Sequence, residues 1–384
     1  MADDYQIAII GAGPAGLATA LHLQRLAPEL AAQTVIFESA IHPRHKLCGG
    51  GVTFHGEEQL RALGLAINVP ATSIDTLHFR LGHCVFQTRY PNAMRIVQRA
   101  DFDSALADAA HQRGLRLHAN ERLLDLQLHA ASVELRTTRG SYQVKAVVGA
   151  DGANSTVRQR LSMRSTVGVA RLLHVMTPSH PHVDRKGAYF DFSCIIDGVQ
   201  GYTWDFPCLI DGQPFVNRGI FDSRIATEGR PKRGQLRGQF EMGLTRRGVR
   251  QAERRLEGHP VRWFNPDAEF SRPRLLLVGD AAGVDPLFAE GISYGMEYGA
   301  LAATMLHEAV QRDDFSFADY RDRIVGGPLG QSLQRRARLA RSLYRHQRPQ
   351  LWTVLWRLAA IAPPVVKQSI GAALGVLPPP RRGE

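Results

Sequence analysis

A glycine-rich turn near the start of the chain constrains the fold more than any other feature of the sequence. Residues 5–10 (YQIAII) form a short apolar run of the kind found in buried parallel strands. The GAGPAG that follows has glycine at every position of the pattern G-x-G-x-x-G. There, Gly11 allows a tight turn, Gly13 lets the backbone approach a pyrophosphate, and Gly16 lets the next helix pack closely. The predicted dinucleotide-binding residues of this turn are Gly11, Gly13, Ala15 and Gly16.

The elements around this turn also fit a nucleotide site. Residues 14–27 are rich in Ala and Leu and predict a helix, and residues 34–38 (TVIFE) predict the next strand. Unpaired N–H groups at the start of such a helix attract phosphates. Glu38 follows Gly16 by 22 residues, a position from which a carboxylate accepts hydrogen bonds from a ribose diol. We therefore predict that Glu38 binds the cofactor, with a glycine turn that holds no ligand as the alternative.

Two later segments each combine a strand, a loop of small residues and a helix. They are GADGANSTVR (149–158) and VGDAAGVDPLFAEGISYGMEYG (278–299). In the second, Asp280 would place a carboxylate beside sugar-like hydroxyl groups. Gly291 and Ile292 would present helix N–H groups to an anionic or carbonyl-bearing group. In the first, we assign Asp151 to the cofactor as well; a capped helix start is the alternative for each segment.

At these three motifs the chain resembles the FAD-containing aromatic hydroxylases and their relatives. Two further motifs narrow the resemblance to geranylgeranyl reductases within that superfamily. RHKLCGGG (44–51) is similar to their Lys-x-Cys-Gly-Gly loop, and GYTWDFP (201–207) to their Tyr-x-Trp-x-Phe-Pro motif. The resemblance spans residues 5 to about 300. It implies that the cysteine loop faces the isoalloxazine ring, that the Gly-Asp segment binds the ribitol of FAD, and that the aromatic motif lines a substrate pocket.

The resemblance also assigns roles to individual residues. Cys48 is expected beside the flavin ring as the candidate catalytic residue, with a bound water as an equal alternative for the proton donor. Arg99 is expected to contact the cofactor from the start of a helix. The remaining cofactor residues of the cysteine loop are Arg44, Lys46 and Gly49. The expected substrate residues, which alternate along one face of a strand, are Tyr202, Trp204 and Phe206. An ordinary aromatic core and a small buried cysteine are the alternatives.

The activity implied by the resemblance is hydrogenation of carbon–carbon double bonds in a prenyl (geranylgeranyl-type) substrate. The sequence contains one dinucleotide fingerprint, so NADPH or a ferredoxin would bind transiently, reduce the flavin and leave. The reduced flavin could pass a hydride from N5 to the alkene, while the protein supplies position, a dry pocket and a proton. A hydroxylase is the main alternative. A flavin-dependent halogenase is weaker, because Tyr202 and Phe206 replace the Trp and Ile of its Trp-x-Trp-x-Ile-Pro motif.

We therefore predict an α/β chain with a Rossmann-type FAD-binding domain, an inserted β-sheet substrate domain and a C-terminal helical region. Helices are predicted at 101–113, capped by Asp101, and at 289–311. Strands are predicted at 115–119, 122–128, 132–138, 142–149 and 274–279, with further β structure over 166–230. The predicted domains are 1–73 with 96–165 and 270–312 for FAD, 74–95 with 166–269 for the substrate, and 313–384 for the helical region.

Charge and cysteine content limit the partners. The formal net charge of +11 is compatible with nucleic acid, an acidic substrate or an anionic membrane surface. We expect no nucleic acid, because no recognition motif accompanies the charge. The four cysteines lie far apart and indicate free thiols and no metal site. The N-terminus lacks the features of a secretory signal, so we expect a cytoplasmic protein.

The C-terminal sequence is both basic and apolar. Six arginines precede the run LWTVLWRLAAIAPPVVKQSIGAALGVLPPP: Arg335, Arg336, Arg338, Arg341, Arg345 and Arg348. Arg357, Pro363, Pro364 and Lys367 interrupt the run, so it is not a clean membrane span. Basic residues beside Trp352 and Trp356 indicate a helix that lies on the inner face of a membrane. A helical cap with its arginines in solvent is the alternative.

Overall fold

The computed structural model describes residues 5–378 apart from 164–167, 181, 227–234, 251–252, 254, 347 and 374–376. The strands are β1 (Ile7–Ile10), β2 (Thr34–Phe37), β3 (Gly51–Thr53), β4 (Ala71–Leu81), β5 (Cys84–Val97), β6 (Arg116–His118), β7 (Leu123–Leu128), β8 (Val133–Thr137), β9 (Ser141–Val144), β10 (Ala146–Gly149), β11 (Val169–Pro178), β12 (Gly187–Asp191), β13 (Gly201–Ile210), β14 (Gln213–Asp222), β15 (Glu257–Arg262), β16 (Ser271–Arg272) and β17 (Leu275–Leu277). The helices are α1 (Pro14–Leu26), α2 (Pro28–Ala32), α3 (Phe54–Ala62), α4 (Arg99–Gln112), α5 (Thr156–Arg160), α6 (Leu236–Arg246), α7 (Ile292–Arg312), α8 (Tyr320–Gly326), α9 (Pro328–Tyr344), α10 (Gln350–Ile361) and α11 (Pro364–Ala373).

The first sheet carries the glycine-rich turn. Its strand order is β16-β17-β10-β1-β2-β6, and all neighbours except β16 and β17 run parallel. Every residue of β1 and β10 is buried, as expected for parallel strands covered on both faces. The carboxyl ends of β17, β10, β1 and β2 therefore lie along one edge, the place where such sheets bind ligands.

The second sheet has the order β15-β11-β14-β13-β12-β4-β5-β3 and is antiparallel except where β12 pairs with β4. A third, three-stranded sheet has the order β7-β8-β9. Most buried apolar side chains of the two larger sheets belong to one contiguous cluster that also includes α7 and α9. Val175 of β11 and Ile220 of β14 belong to a second cluster, with α6. The predicted fold class is confirmed: a Rossmann-type sheet, a second β-sheet and a C-terminal helical region.

Three of the predicted elements differ from the observed ones for an identifiable structural reason. The helix predicted at 101–113 begins at Arg99, so Asp101 lies in its first turn and does not cap it. The strand predicted at 142–149 is two strands, because Lys145 donates its backbone N–H to Gln6 and turns the chain from β8 toward β1. The helix predicted from 289 begins at Ile292, because Ala289 has a φ of 57°, outside the helical region.

The β-rich stretch predicted over 166–230 contains β11 to β14, and its ends, residues 166–167 and 227–230, lie outside the described residues. Beyond residue 312 the chain forms helices α8 to α11, as predicted. Among the described residues, no helix combines the length and the apolar character that crossing a bilayer requires.

The C-terminal helices are tied to the rest of the protein by a buried arginine. Arg336 on α9 has 1% of its surface exposed and forms ion pairs with Asp285 and with Glu290, the latter at 2.9 Å. Its guanidinium also lies 5.7 Å from the Phe288 ring centroid and 5.2 Å from that of Tyr294. Both alternatives for the basic C-terminus were therefore wrong for Arg336, which faces neither a membrane nor solvent.

Replacing Arg336 with leucine would leave two buried carboxylates without their cation. We expect the free energy of unfolding to fall by about 3–5 kcal/mol, measured by chemical denaturation. Arg338→Leu, which removes an exposed arginine from the same helix, is the matched control and should stay within about 0.5 kcal/mol of the wild type. Equal stability of the two variants would contradict this account of how α9 is held.

Candidate functional site

A cavity of about 860 Å³ lies between the carboxyl edge of the first sheet and one face of the second. This volume falls in the upper part of the range of roughly 300–1,000 Å³ that is typical of ligand pockets. Sixteen of the seventeen residues assigned to the site from the sequence and the resemblance line this cavity. They are Gly11, Gly13, Ala15, Glu38, Arg44, Lys46, Cys48, Gly49, Arg99, Asp151, Asp280, Gly291, Ile292, Tyr202, Trp204 and Phe206. Gly16 does not line it and packs against the Gly11 carbonyl oxygen instead.

The glycine-rich turn has two contacts that exclude side chains. Gly11 has a φ of +107°, and a Cβ there would lie 2.5 Å from the carbonyl oxygen of Ala150. A Cβ on Gly16 would collide with the Gly11 carbonyl oxygen. Gly13 precedes α1 without any side-chain cap, and Pro14 occupies the first helical position. The start of α1 therefore presents uncapped N–H groups at the cavity, as a phosphate site requires.

Glu38 is fixed by its own loop and still lines the cavity. Its Oε2 accepts the N–H of Ala12 at 2.8 Å, and its Oε1 accepts the N–H of Ala40 at 3.0 Å. Ser39 also donates from its Oγ to Oε1, at 3.1 Å. A carboxylate has about four acceptor positions, so room remains for about one hydroxyl group of a ligand. Ala12 belongs to the glycine-rich turn, and the same carboxylate thus joins the ends of β1 and β2.

A buried aspartate that we did not predict positions two predicted cations. Arg99 donates two hydrogen bonds to Asp103, each 2.8 Å long, and Arg44 Nη2 lies 3.1 Å from the same carboxylate. Burial disfavours the charge of Arg99, but Asp103 outweighs it and raises the pKa of Arg99 above its ordinary value. The spacing of Arg99 and Asp103, four residues apart in a helix, was a signal available in the sequence.

The side-chain amide of Asn217 attaches the cysteine loop to the second sheet. Asn217 on β14 donates from Nδ2 to the Cys48 carbonyl at 2.8 Å and accepts at Oδ1 from the Trp204 indole N–H at 3.0 Å. A Cβ on Gly49 would lie 3.2 Å from the Phe206 ring. The two motifs that carry the resemblance thus meet in one place. No feature of the sequence indicated Asn217.

The predicted aromatic residues form one wall of the cavity. All three are at most 6% exposed, and they belong to the core cluster as well as to the cavity lining. Tyr202 donates its hydroxyl hydrogen to the Phe288 carbonyl at 2.6 Å. The Phe190 ring centroid lies 5.1 Å from that of Phe206 and 5.6 Å from that of Tyr202. A Cβ at Gly219, opposite Trp204, would overlap the indole ring, which requires glycine there.

Lys46 and Asp280 form a polar corner of the cavity. Lys46 Nζ lies 2.8 Å from His259 Nε2 on β15. Burial lowers the pKa of Lys46 against the opposing charge of Asp280, and burial raises the pKa of the Asp280 carboxyl. Burial also lowers the pKa of His259 to about 4, assisted by the charges of Lys46 and Arg99. His259 was not predicted as a site residue. In its neutral form the His259 imidazole is placed to accept a hydrogen bond from Lys46.

The segments 149–158 and 278–299 line the remaining side of the cavity. Asp151 Oδ2 accepts the Val157 N–H at the start of α5, at 3.1 Å. This oxygen therefore contacts a helix start, which is the alternative that the sequence offered to cofactor binding. Its Oδ1 is buried and lacks a protein partner, which leaves an acceptor for a ligand. Gly291 precedes α7 without a side-chain cap, and Ile292 is the first residue of that helix. A second uncapped helix start therefore meets the cavity.

These groups fit FAD. Uncapped N–H groups at α1 suit the pyrophosphate, Glu38 suits the ribose diol, and Asp280 with the start of α7 suits the ribitol and the polar side of a ring. The unpartnered Asp151 oxygen is consistent with a ligand in the same cavity.

Glu38→Gln should weaken FAD binding about tenfold or more, because a hydrogen bond to a charged group contributes roughly 1.5–3 kcal/mol. Titration of the apoprotein with FAD, followed by flavin fluorescence, measures this change. Glu29→Gln, in the exposed α2 region, is the control and should bind FAD like the wild type. Unchanged affinity in Glu38→Gln would exclude the ribose role.

His259 should make stability depend on pH. The folded protein holds this imidazole neutral down to about pH 4, whereas the unfolded chain protonates it near 6.5. Between these values the unfolded state binds more protons, so stability is full above pH 6.5 and is lost as the pH falls toward 4. We expect His259→Gln to show a smaller loss of unfolding free energy between pH 7 and about 4.5. An unchanged slope, matching that of the exposed-site control His346→Gln, would be evidence against the buried neutral histidine.

Comparison with known proteins gives the same cofactor. Residues 4–192 match the family described as FAD binding domain. The menaquinone reductase of Mycolicibacterium smegmatis is 28% identical over 335 residues, which cover 78% of this chain and 76% of that protein. Digeranylgeranylglycerophospholipid reductase 2 of Methanococcoides burtonii is 25% identical over 333 residues, covering 82% and 78%.

A solved structure shares the fold. The geranylgeranyl bacteriochlorophyll reductase-like protein of Thermoplasma acidophilum superposes with a TM-score of 0.73 at 19% identity, covering 97% of this chain and 95% of that one. The predicted resemblance to geranylgeranyl reductases is confirmed by this fold and by the digeranylgeranylglycerophospholipid reductase match. The chain is an FAD-dependent oxidoreductase whose residues 4–192 match the FAD-binding domain family.

Proposed function

We propose that the protein hydrogenates carbon–carbon double bonds of a prenyl chain, using FAD that NADPH or a ferredoxin reduces. The observation that carries the proposal is the Asn217 contact, which joins the Cys48 loop to Trp204 in a single cavity wall. The cofactor groups and the apolar wall thereby share one cavity. The names of the menaquinone and digeranylgeranylglycerophospholipid reductases support a lipid-like substrate.

The wall suits an apolar chain. Tyr202 donates its hydroxyl hydrogen to the Phe288 carbonyl, and Trp204 donates its indole N–H to Asn217. Because these polar hydrogens already have partners, both side chains present mainly ring surface to the cavity. Phe190 and Phe288 extend the same surface. A wall of the cavity with many ring faces and few polar groups favours a hydrocarbon over a polar aromatic acid.

When bound, FAD in its reduced form would supply a hydride to one carbon of the alkene. The second carbon then needs a proton, so saturation consumes one hydride and one proton per double bond. Cys48 is the proposed donor because its side chain interacts with Arg99 and lines the cavity together with Lys46 and Tyr202. A bound water is the alternative donor.

The test is an anaerobic reaction. The holoenzyme, reduced with dithionite in the absence of oxygen, should convert a geranylgeranyl lipid to a product heavier by H2 for each reduced bond, as read by mass spectrometry. A strict requirement for oxygen, with oxygen in the product, would replace the proposal with a hydroxylase. An added requirement for chloride or bromide would indicate a halogenase.

The same assay tests Cys48. Cys48→Ala should retain FAD and lower the hydrogenation rate by about 10²–10⁴-fold, the usual contribution of a positioned acid. Cys84→Ala is the matched control, because Cys84 begins β5 outside the cavity lining. A Cys48→Ala rate equal to that of the control would assign the proton to a bound water.

A further inference from the structure

The C-terminal helices carry a concentrated apolar surface. Among the described residues fourteen large apolar side chains are exposed, and seven of them lie between residues 351 and 366. These seven, which we name the apolar stripe, are Leu351, Val354, Leu355, Leu358, Ile361, Val365 and Val366. The spacing on α10 follows one face of a helix, whereas Trp356 and Ala359 on the opposite face are buried. An exposed apolar patch of this kind marks an interaction surface.

The charges next to the apolar stripe have a single sign. The sequence contains no Asp or Glu between Asp322 and Glu384, whereas residues 324–378 contain seven arginines and one lysine. Arg341, Arg345, Arg348 and Arg357 are exposed. A second copy of this chain would bring the same arginines face to face, which disfavours self-association through the stripe. An anionic surface with an apolar interior complements both properties.

A chain of edge-to-face and tilted aromatic rings, which we name the aromatic chain, connects the buried face of α10 to the cavity. The Trp356 ring centroid lies 5.4 Å from that of Phe86 and 5.6 Å from that of Phe192. The Phe192 ring in turn lies 5.3 Å from Tyr202 and 6.1 Å from Phe288, both of which line the cavity. Two layers of rings therefore separate the buried face of α10 from the cavity.

We propose that α10 and α11 dock the protein on an anionic lipid bilayer, with the apolar stripe among the acyl chains and the exposed arginines at the headgroups. In this position the aromatic chain, and not solvent, lies between the bilayer and the cavity, and its rings would have to move apart for an apolar substrate to pass. The docking proposal depends only on the surface of α10 and α11. Entry of a substrate along the aromatic chain rests on the proposed function.

Vesicle binding tests the docking without any substrate. The purified holoprotein should sediment with vesicles of phosphatidylglycerol and phosphatidylcholine, and less with phosphatidylcholine alone. The variant L358D/I361D should bind the anionic vesicles at least about tenfold more weakly, because two apolar side chains no longer enter the bilayer. The matched control L26D/M242D changes two exposed apolar residues elsewhere and should bind like the wild type.

Flavin content and thermal melting of each variant report whether it is folded. If L358D/I361D loses flavin, the charge-reversal variant R345E/R348E, outside the helices, provides the same test of binding. Equal sedimentation of wild-type and folded stripe variants would overturn the proposal. So would a wild-type dimer that L358D/I361D dissolves, because a second copy would then cover the stripe. Failure of the hydrogenation assay with intact vesicle binding would instead count against the proposed function.

Discussion

The close approach of two backbones at the β1–α1 turn is the constraint on which the site depends. Gly11 packs against Ala150 at the end of β10, and Gly16 packs against Gly11 itself. These contacts bring the start of α1 to the edge of the sheet and leave its N–H groups uncapped. Since the ends of β2 and β10 lie beside this turn, Glu38 and Asp151 reach the same cavity.

Buried ion pairs then hold in place the side chains that the backbone brings to the cavity. Asp103 holds Arg99 and Arg44 at one side of the cavity, and Arg336 holds Asp285 and Glu290 at another. Each of these two groups is a cluster of buried opposite charges. Burying the charges costs free energy, and removing one partner costs more because it leaves the other charge buried without compensation. The position of the loop before α7 thus depends on Arg336 of α9, which lies 51 positions after Asp285 in the chain. The C-terminal region is part of the cavity's support as well as a separate surface.

Much of the site was predictable because its signals are local. The glycine spacing, the acid after β2 and the alternation of Tyr202, Trp204 and Phe206 each depend on neighbours in the chain. The errors had one local cause and one tertiary cause. Helix α4 starts at Arg99 without a side-chain cap, and a tertiary hydrogen bond to Gln6 divides the strand predicted at 142–149.

The sequence by itself determined a nucleotide-binding α/β fold, the FAD-type motifs and the residues that line the cavity from them, because strand and turn geometry follow from short-range sterics. Only the tertiary structure decided the partners of those residues. Asn217 reaches Cys48 across 169 positions, His259 reaches Lys46 across 213, and Arg336 reaches Asp285 across 51. Such pairs leave no periodic trace in the chain, since their contact arises from the packing of whole elements. The same packing buried one arginine of α9 and left the apolar face of α10 exposed.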